Sequence, residues 1–209
     1  MTRSLTTRNF FEKRPQNPVI FESDVLRKAI GEKAVLSGLW QIYGFDKNGK
    51  TGFALLLAED LSHNQKVRYV SAEQGLRDSF RIACERAGIY EGTKILWDGY
   101  IELSELIDEL KKPKSSQIIF IDNTTIYADE MKDELSAKQL ATMFPNKLII
   151  LVSHEERNEP YPACAKMVKK LCEVYCRVKG LKVFITSRFT TSQGEITVNE
   201  EISEMYWGE

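Results

Sequence analysis

The chain has 209 residues and a net charge of −1, with 29 lysines and arginines set against 30 aspartates and glutamates. That length fits one domain with small decorations, and 43% hydrophobic residues suffice for an ordinary core. The near-neutral balance excludes a global pull toward nucleic acid while leaving local basic surfaces open, and no apolar stretch approaches the ~20 residues of a membrane span.

The first residues, MTRSLTTRNFFEKRPQNP, are polar, contain Pro15 and Pro18, and lack the apolar run of a signal peptide. They read as a loosely held arm over 1–20 ahead of a single domain over 21–209, in a cytoplasmic protein. ESDVLRKAIG then reads as a short helix, with Ser23 or Asp24 as its N-cap and Gly31 just past its end. After it, apolar strand candidates alternate with helical patterns. SGLWQIYG leads into a helix over 50–62, KVRYVSA into one over 75–87, and KILWDG into the amphipathic IELSELIDELKK. SQIIFIDN precedes a helix around 129–143, and NKLIILVS precedes a loop and a helix around 163–171. CEVYCRVK, LKVFITSR and GEITV follow one another as strands.

Strands alternating with helices of this length imply a mainly parallel sheet covered on both faces, an α/β architecture in three layers. IIFID and KLIILVS are nearly continuous apolar runs, as strands buried on both faces require. The consecutive C-terminal strands predict antiparallel additions at one edge. The four cysteines, Cys84, Cys164, Cys172 and Cys176, lack zinc-ribbon spacing. Cys172 and Cys176, read as part of one strand, are expected on one face as buried thiols. His63 and His154 add no metal cluster.

Between the first strand and its helix stands YGFDKNGKTG, in which Gly44, Phe45, Asp46, Lys47, Asn48, Gly49, Lys50 and Thr51 spell Gly-x4-Gly-Lys-Thr. The pattern carries meaning only at a strand-to-helix junction, which is where it falls. There the glycines let successive N–H groups, through Gly52, curl toward a phosphate at the positive end of the helix. Lys50 is expected to reach the β and γ phosphates, and the Thr51 hydroxyl to ligate Mg²⁺. Asp46 and Lys47 are expected to pair at the outer lip. Asp122, ending an apolar strand, offers a carboxylate for the metal. Glu73, just past another strand, is placed to polarise water. Each acid alone also suits a turn or a helix cap.

A phosphate loop at 44–51, a strand ending in SAE at 71–73 and IIFID at 118–122 resemble the RecA-type ATPase core, with RadA and the replicative hexameric helicases similar in pattern. The resemblance spans roughly residues 35–200. It implies a three-layer RecA-like P-loop NTPase that binds ATP and Mg²⁺, with Glu73 as catalytic glutamate and Asp122 holding the metal through water. It implies His154, after the next strand, as γ-phosphate sensor. VFITSRFTTSQG is similar to the family's Lys-Asn-Arg-Phe-Gly element, so Arg188 matches an arginine that reaches a neighbouring subunit's nucleotide. Thr186 and Thr190 depart from that pattern at the Lys and the Gly. The implied activity is Mg²⁺-dependent ATP hydrolysis in DNA replication, recombination or repair, in a ring or filament. The loops expected to face single- or double-stranded DNA mix charges: Arg157, Lys166, Lys169 and Lys170 stand among acids, with Tyr127 and Tyr161 as candidate stacking residues. A nucleotide-dependent switch docking a protein partner stays open, as does a small-molecule P-loop kinase, although no Arg-rich lid is visible.

Overall fold

The structure, a computed structural model, describes residues 4–12, 17–133 and 136–198. Parts of the expected arm (1–3 and 13–16) and the end of the expected domain (199–209) lie outside the described residues. No helix among the described residues is long and apolar enough to cross a membrane.

In chain order the elements are α1 (Thr7–Glu12), α2 (Asp24–Ile30), β1 (Gly38–Gly44), α3 (Lys50–Ser62), β2 (Val67–Ser71), α4 (Asp78–Arg86), β3 (Ile95–Asp98), α5 (Leu103–Lys111) and β4 (Ile118–Asp122). They continue with α6 (Ala128–Asp133), α7 (Ala137–Met143), β5 (Leu148–Glu156), β6 (Glu159–Tyr161), α8 (Ala163–Leu171), β7 (Val174–Lys179), β8 (Lys182–Ser187) and β9 (Gly194–Thr197). The strands form one sheet in the order β3-β2-β4-β5-β1-β7-β8-β9, with β6 paired to β5. From β3 to β7 every neighbouring pair is parallel, and β8 and β9 are antiparallel.

Because successive side chains of a strand point to opposite faces, β4 feeds two cores at once. Ile118 and Phe120 pack with α2, α3 and α4 on one face. Ile119 and Ile121 pack with α5, α6, α7 and α8 on the other. All five β4 residues are buried, and each large apolar side chain so buried contributes about 1.5–3 kcal/mol. The helices follow the same logic. Leu103, Leu106, Ile107 and Leu110 of α5 recur at helical spacing and are the face it buries. The N-cap of α2 is Ser23, whose side chain accepts from Leu26 N. The Ser23 backbone N–H in turn donates to Asp60 at 2.7 Å, tying α2 to the end of α3.

The three-layer α/β architecture with antiparallel C-terminal edge strands is thus as expected. Several details differ. β7 is a parallel member of the sheet, because α8 crosses between β5 and β7; of the three C-terminal strands β8 and β9 pair antiparallel, as does the short β6 on β5. The helix expected around 129–143 is two helices, and a capping box of Ser136 and Gln139 starts the second. Cys172 and Cys176 do not share a face: Cys172 caps α8 and packs in the second core, whereas Cys176 lies on β7 in the first. Both thiols are buried, as expected. In the N-terminal region α1 buries no residue. By contrast, Pro18 bridges Val35, and Ile20 exchanges two 2.7 Å hydrogen bonds with Asn64.

Parallel pairing brings the carboxyl ends of four central strands to one edge. Gly44 lies opposite His154, and Ser71 opposite Asp122. Ligand sites of open parallel sheets gather at this edge.

Candidate phosphate-binding site

The loop between β1 and α3 has little room for side chains at its glycines. A Cβ on Gly44 would stand 2.2 Å from the Val178 carbonyl oxygen of β7. Gly49 has φ +95°, a left-handed conformation open chiefly to glycine, and a Cβ there would stand 2.6 Å from Leu181 Cδ2. Between them Asn48 straps the loop to the β7–β8 turn. Its Oδ1 accepts from Gly180 N at 2.7 Å, and its carbonyl accepts from Leu181 N at 3.3 Å. Its Nδ2 donates to the Asp46 carbonyl at 2.9 Å. Helix α3 begins at Lys50, so the amides of Lys50, Thr51 and Gly52 sit in its first turn, without helical acceptors and at the positive end of its dipole.

Lys50 and the strand-end acids converge on this loop. Lys50 is buried, donates to the Phe45 carbonyl at 2.9 Å and lies 3.6 Å from Asp46 Oδ1. Burial pulls the Lys50 ammonium below the usual lysine range, opposed by the charges of Asp46, Asp122 and Glu73. A desolvated cation of this kind gains most from an incoming anion. Thr51 Oγ1 donates to Asp122 Oδ2 at 3.2 Å, and Tyr69 donates to the same oxygen at 2.8 Å. Burial pushes the Asp122 carboxyl up, opposed by those two donors. The expected pairing of Asp46 with Lys47 is not formed. Asp46 turns to Lys50 and to His154, while Lys47 adopts φ 60°.

His154 joins Asp46 to Glu73. Its Nδ1 sits against Asp46 Oδ1 without hydrogen-bond alignment, and its Nε2 lies 3.6 Å from Glu73 Oε2. Glu73 also accepts from Asn123 Nδ2 at 3.0 Å. Lys50, Thr51, Asp122, Glu73 and His154 therefore come together as expected, around a loop in which Phe45 is exposed. Asn48, one of the expected loop residues, braces the site as well, whereas Tyr69 and Asn123, which also hold it, carry no sequence motif.

The oxygen donors fit a Mg²⁺ ion that arrives with a phosphate ligand. Mg²⁺ takes one or two protein oxygens and completes its shell with phosphate and water. Thr51 Oγ1 and Asp122 Oδ2 stand 3.2 Å apart as two such oxygens, and no group of three or more His, Cys, Asp or Glu that could hold a metal occurs among the described residues.

Arg188 does not join this cluster. It follows β8, whose Ser187 lies opposite Val174, itself level with Trp40 at the start of the parallel strands. Four residues of strand separate that level from Gly44, about 13 Å along the sheet. There Arg188 Nε lies 3.8 Å from Glu173. Nor does Tyr127 offer a stacking face, for it is fully buried with its hydroxyl on the Ile101 carbonyl. Lys169 is drawn inward over the Tyr43 and Tyr175 rings and onto Glu159. Arg157 and Tyr161 are exposed.

No family model and no curated relative matches the sequence. Among solved structures, the fold is similar to the crystal structure of the KaiC-like protein PH0186 from the hyperthermophilic archaeon Pyrococcus horikoshii OT3. The TM-score is 0.60 over 88% of this chain and 92% of that one, at 14% identity. In all, 469 solved chains match this fold. The chain shares with that KaiC-like protein a three-layer α/β fold built on a mainly parallel sheet.

Proposed function

We propose that this chain is a Mg²⁺-dependent ATPase. The observation that carries the reading is the meeting of Thr51 with Asp122 at 3.2 Å beside a buried Lys50, at the start of a helix that opens from a glycine loop. Lys50 and the loop amides would neutralise the β and γ phosphates. Thr51 and Asp122 would hold the Mg²⁺, which when bound draws charge from the phosphate oxygens. Glu73 would orient the attacking water and take up its proton, with His154 against the γ-phosphate. Preorganised charge of this kind supplies most of the rate in phosphoryl transfer.

The work to which hydrolysis is coupled follows from the fold only as a family expectation: replication, recombination or repair of DNA, by several copies that share sites through Arg188. The second reading, a switch that docks a protein partner, gains from two observations. Tyr127 is buried, and the segment after β4 carries Asp129 and Glu130 at the start of α6 where a DNA contact would call for cations.

ATP turnover with Mg²⁺, measured across protein concentrations with and without single-stranded DNA, tests both. Wild type should hydrolyse ATP, and Glu73→Gln should lower turnover about 10²–10⁴-fold. Activity that rises with concentration and with DNA supports the motor, whereas slow, DNA-blind turnover supports the switch. Wild-type activity that survives in Glu73→Gln removes Glu73 from the mechanism.

A further inference from the structure

The Glu73 side chain is about half exposed, at 48%, and its one hydrogen-bond donor among the described side chains is Asn123 Nδ2, at 3.0 Å. His154 stands farther off, 3.6 Å from the same oxygen. Asn123, by contrast, is buried. The strands explain why the two meet. Ser71 lies opposite Asp122, and Ala72 N donates to the Asp122 carbonyl, so the next residues on β2 and β4 emerge side by side.

The orientation of the Asn123 amide is fixed by its other end. Oδ1 accepts from Thr125 N at 3.0 Å and from Thr125 Oγ1 at 3.1 Å. A side-chain amide has one acceptor atom and one donor atom. With both Thr125 donors on the oxygen, the nitrogen faces Glu73; a flipped amide would set N–H against N–H and oxygen against carboxylate.

We propose that Asn123 is the positioning residue for Glu73, and that through it the loop after β4 controls where that carboxylate points. The proposal rests on the ATPase reading above. One Glu73 oxygen is held by the amide, which leaves the other to face the attacking water. A carboxylate fixed at one oxygen loses less orientational freedom on reaching the reactive geometry than one swinging on a free stem. The loop has the anatomy for coupling. Its far end is anchored by Tyr127, through the Ile101 carbonyl at 2.7 Å and the stacked ring of Tyr100, while Ile126 beside it is 46% exposed. A partner or polymer that moved Ile126 and Thr125 would withdraw two donors from Asn123 Oδ1. The amide would then turn, and Glu73 would lose its fixed orientation.

The test is Asn123→Asp, which keeps the shape and the acceptor for Thr125 but replaces the donor facing Glu73 by a second carboxylate oxygen. ATP affinity should stay within about twofold while kcat falls at least about tenfold, a split that general loosening of the fold would not give. In the Glu73→Gln background the same change should cause no further loss of residual turnover, because the two residues act as a unit. Thr125→Val, which removes one of the two fixing bonds, should lower kcat by about two- to threefold at constant affinity, and it decides the matter if Asn123→Asp melts the chain. Unchanged kcat in Asn123→Asp or, where that variant does not fold, in Thr125→Val overturns the proposal, as does an equal fall in the Glu73→Gln background. If wild type turns over ATP, Glu73→Gln does not and the Asn123 and Thr125 variants match wild type, the ATPase reading stands and this proposal alone falls. A wild type without turnover removes both.

Discussion

At the carboxyl edge of the sheet, Lys50 and Asp122 are buried, and Glu73 and His154 reach them from other strand ends. At the opposite edge, Arg27, Lys28, Lys33 and Arg188 line an open cavity of about 630 Å³ together with the hydroxyls of Thr190, Thr191 and Ser192. The second region has the more cations, but they are solvated. Arg27 pairs with exposed Asp24 one helical turn away, and the Arg188 side chain is 63% exposed beside Glu173. Exposed pairs of this kind contribute about 0–1 kcal/mol. In the first region, burial pulls the lysine down and pushes the aspartate up, so each group is poised to gain from a ligand of opposite charge. Burial, rather than the number of charges, separates the two edges.

The sharpest way to break this comparison is at Gly44. Gly44→Ala forces a methyl toward a backbone oxygen 2.2 Å away. We expect it to abolish nucleotide binding and to lower stability by about 1–3 kcal/mol, or more if β7 cannot shift. Calorimetry and denaturant melts would check both, and a variant that binds like wild type would show that the loop geometry is not needed. Tyr69→Phe comes next. It removes a 2.8 Å donor to Asp122 while leaving the Thr51 bond intact. Mg²⁺ affinity in the presence of nucleotide should fall about tenfold, since groups that orient a metal ligand typically carry 10–100-fold. The smallest effect is expected at Arg188. In dilute solution Arg188→Ala should change nucleotide affinity less than about twofold, because its own loop lies about 13 Å along the sheet. A loss confined to high protein concentration would place Arg188 in a neighbour's site, and a loss at every concentration would contradict the contrast between the two edges.

The parts legible in the sequence were those written in contiguous residues. The glycine loop, the apolar strands ending in Glu73 and Asp122, and the helix over 50–62 all rest on local pattern, and Lys50–Ser62 is where that helix lies. His154 was legible through the family resemblance. Other features depended on neighbours distant in the chain. Asn48 meets Gly180 across 132 residues, Tyr69 meets Asp122 across 53, and Glu73 meets Asn123 across 50. No spacing rule encodes such partners. CEVYCRVK is a strand from Val174 onward, but Cys172 ends α8 rather than starting β7, which turns its thiol to the other core. The parallel direction of β7 was open to inference, since the α8 pattern stood between two strands. β6 was not, because it is three residues long and its turn uses Arg157 and Asn158 at φ 53° and 64° without a glycine. The break before α7 went unread, although the Ser136-x-x-Gln139 capping box that marks it is a local pattern.

The central claim is that the loop over 44–51 holds phosphates through Lys50. Equilibrium binding of Mg²⁺-ATP to wild type and to Lys50→Ala tests it most directly. We expect wild type to bind and the variant to bind about ten- to a hundredfold more weakly, the loss of one or two charge-assisted hydrogen bonds, with its melting temperature preserved. Equal affinities in the two proteins, or no binding by wild type, would contradict the claim.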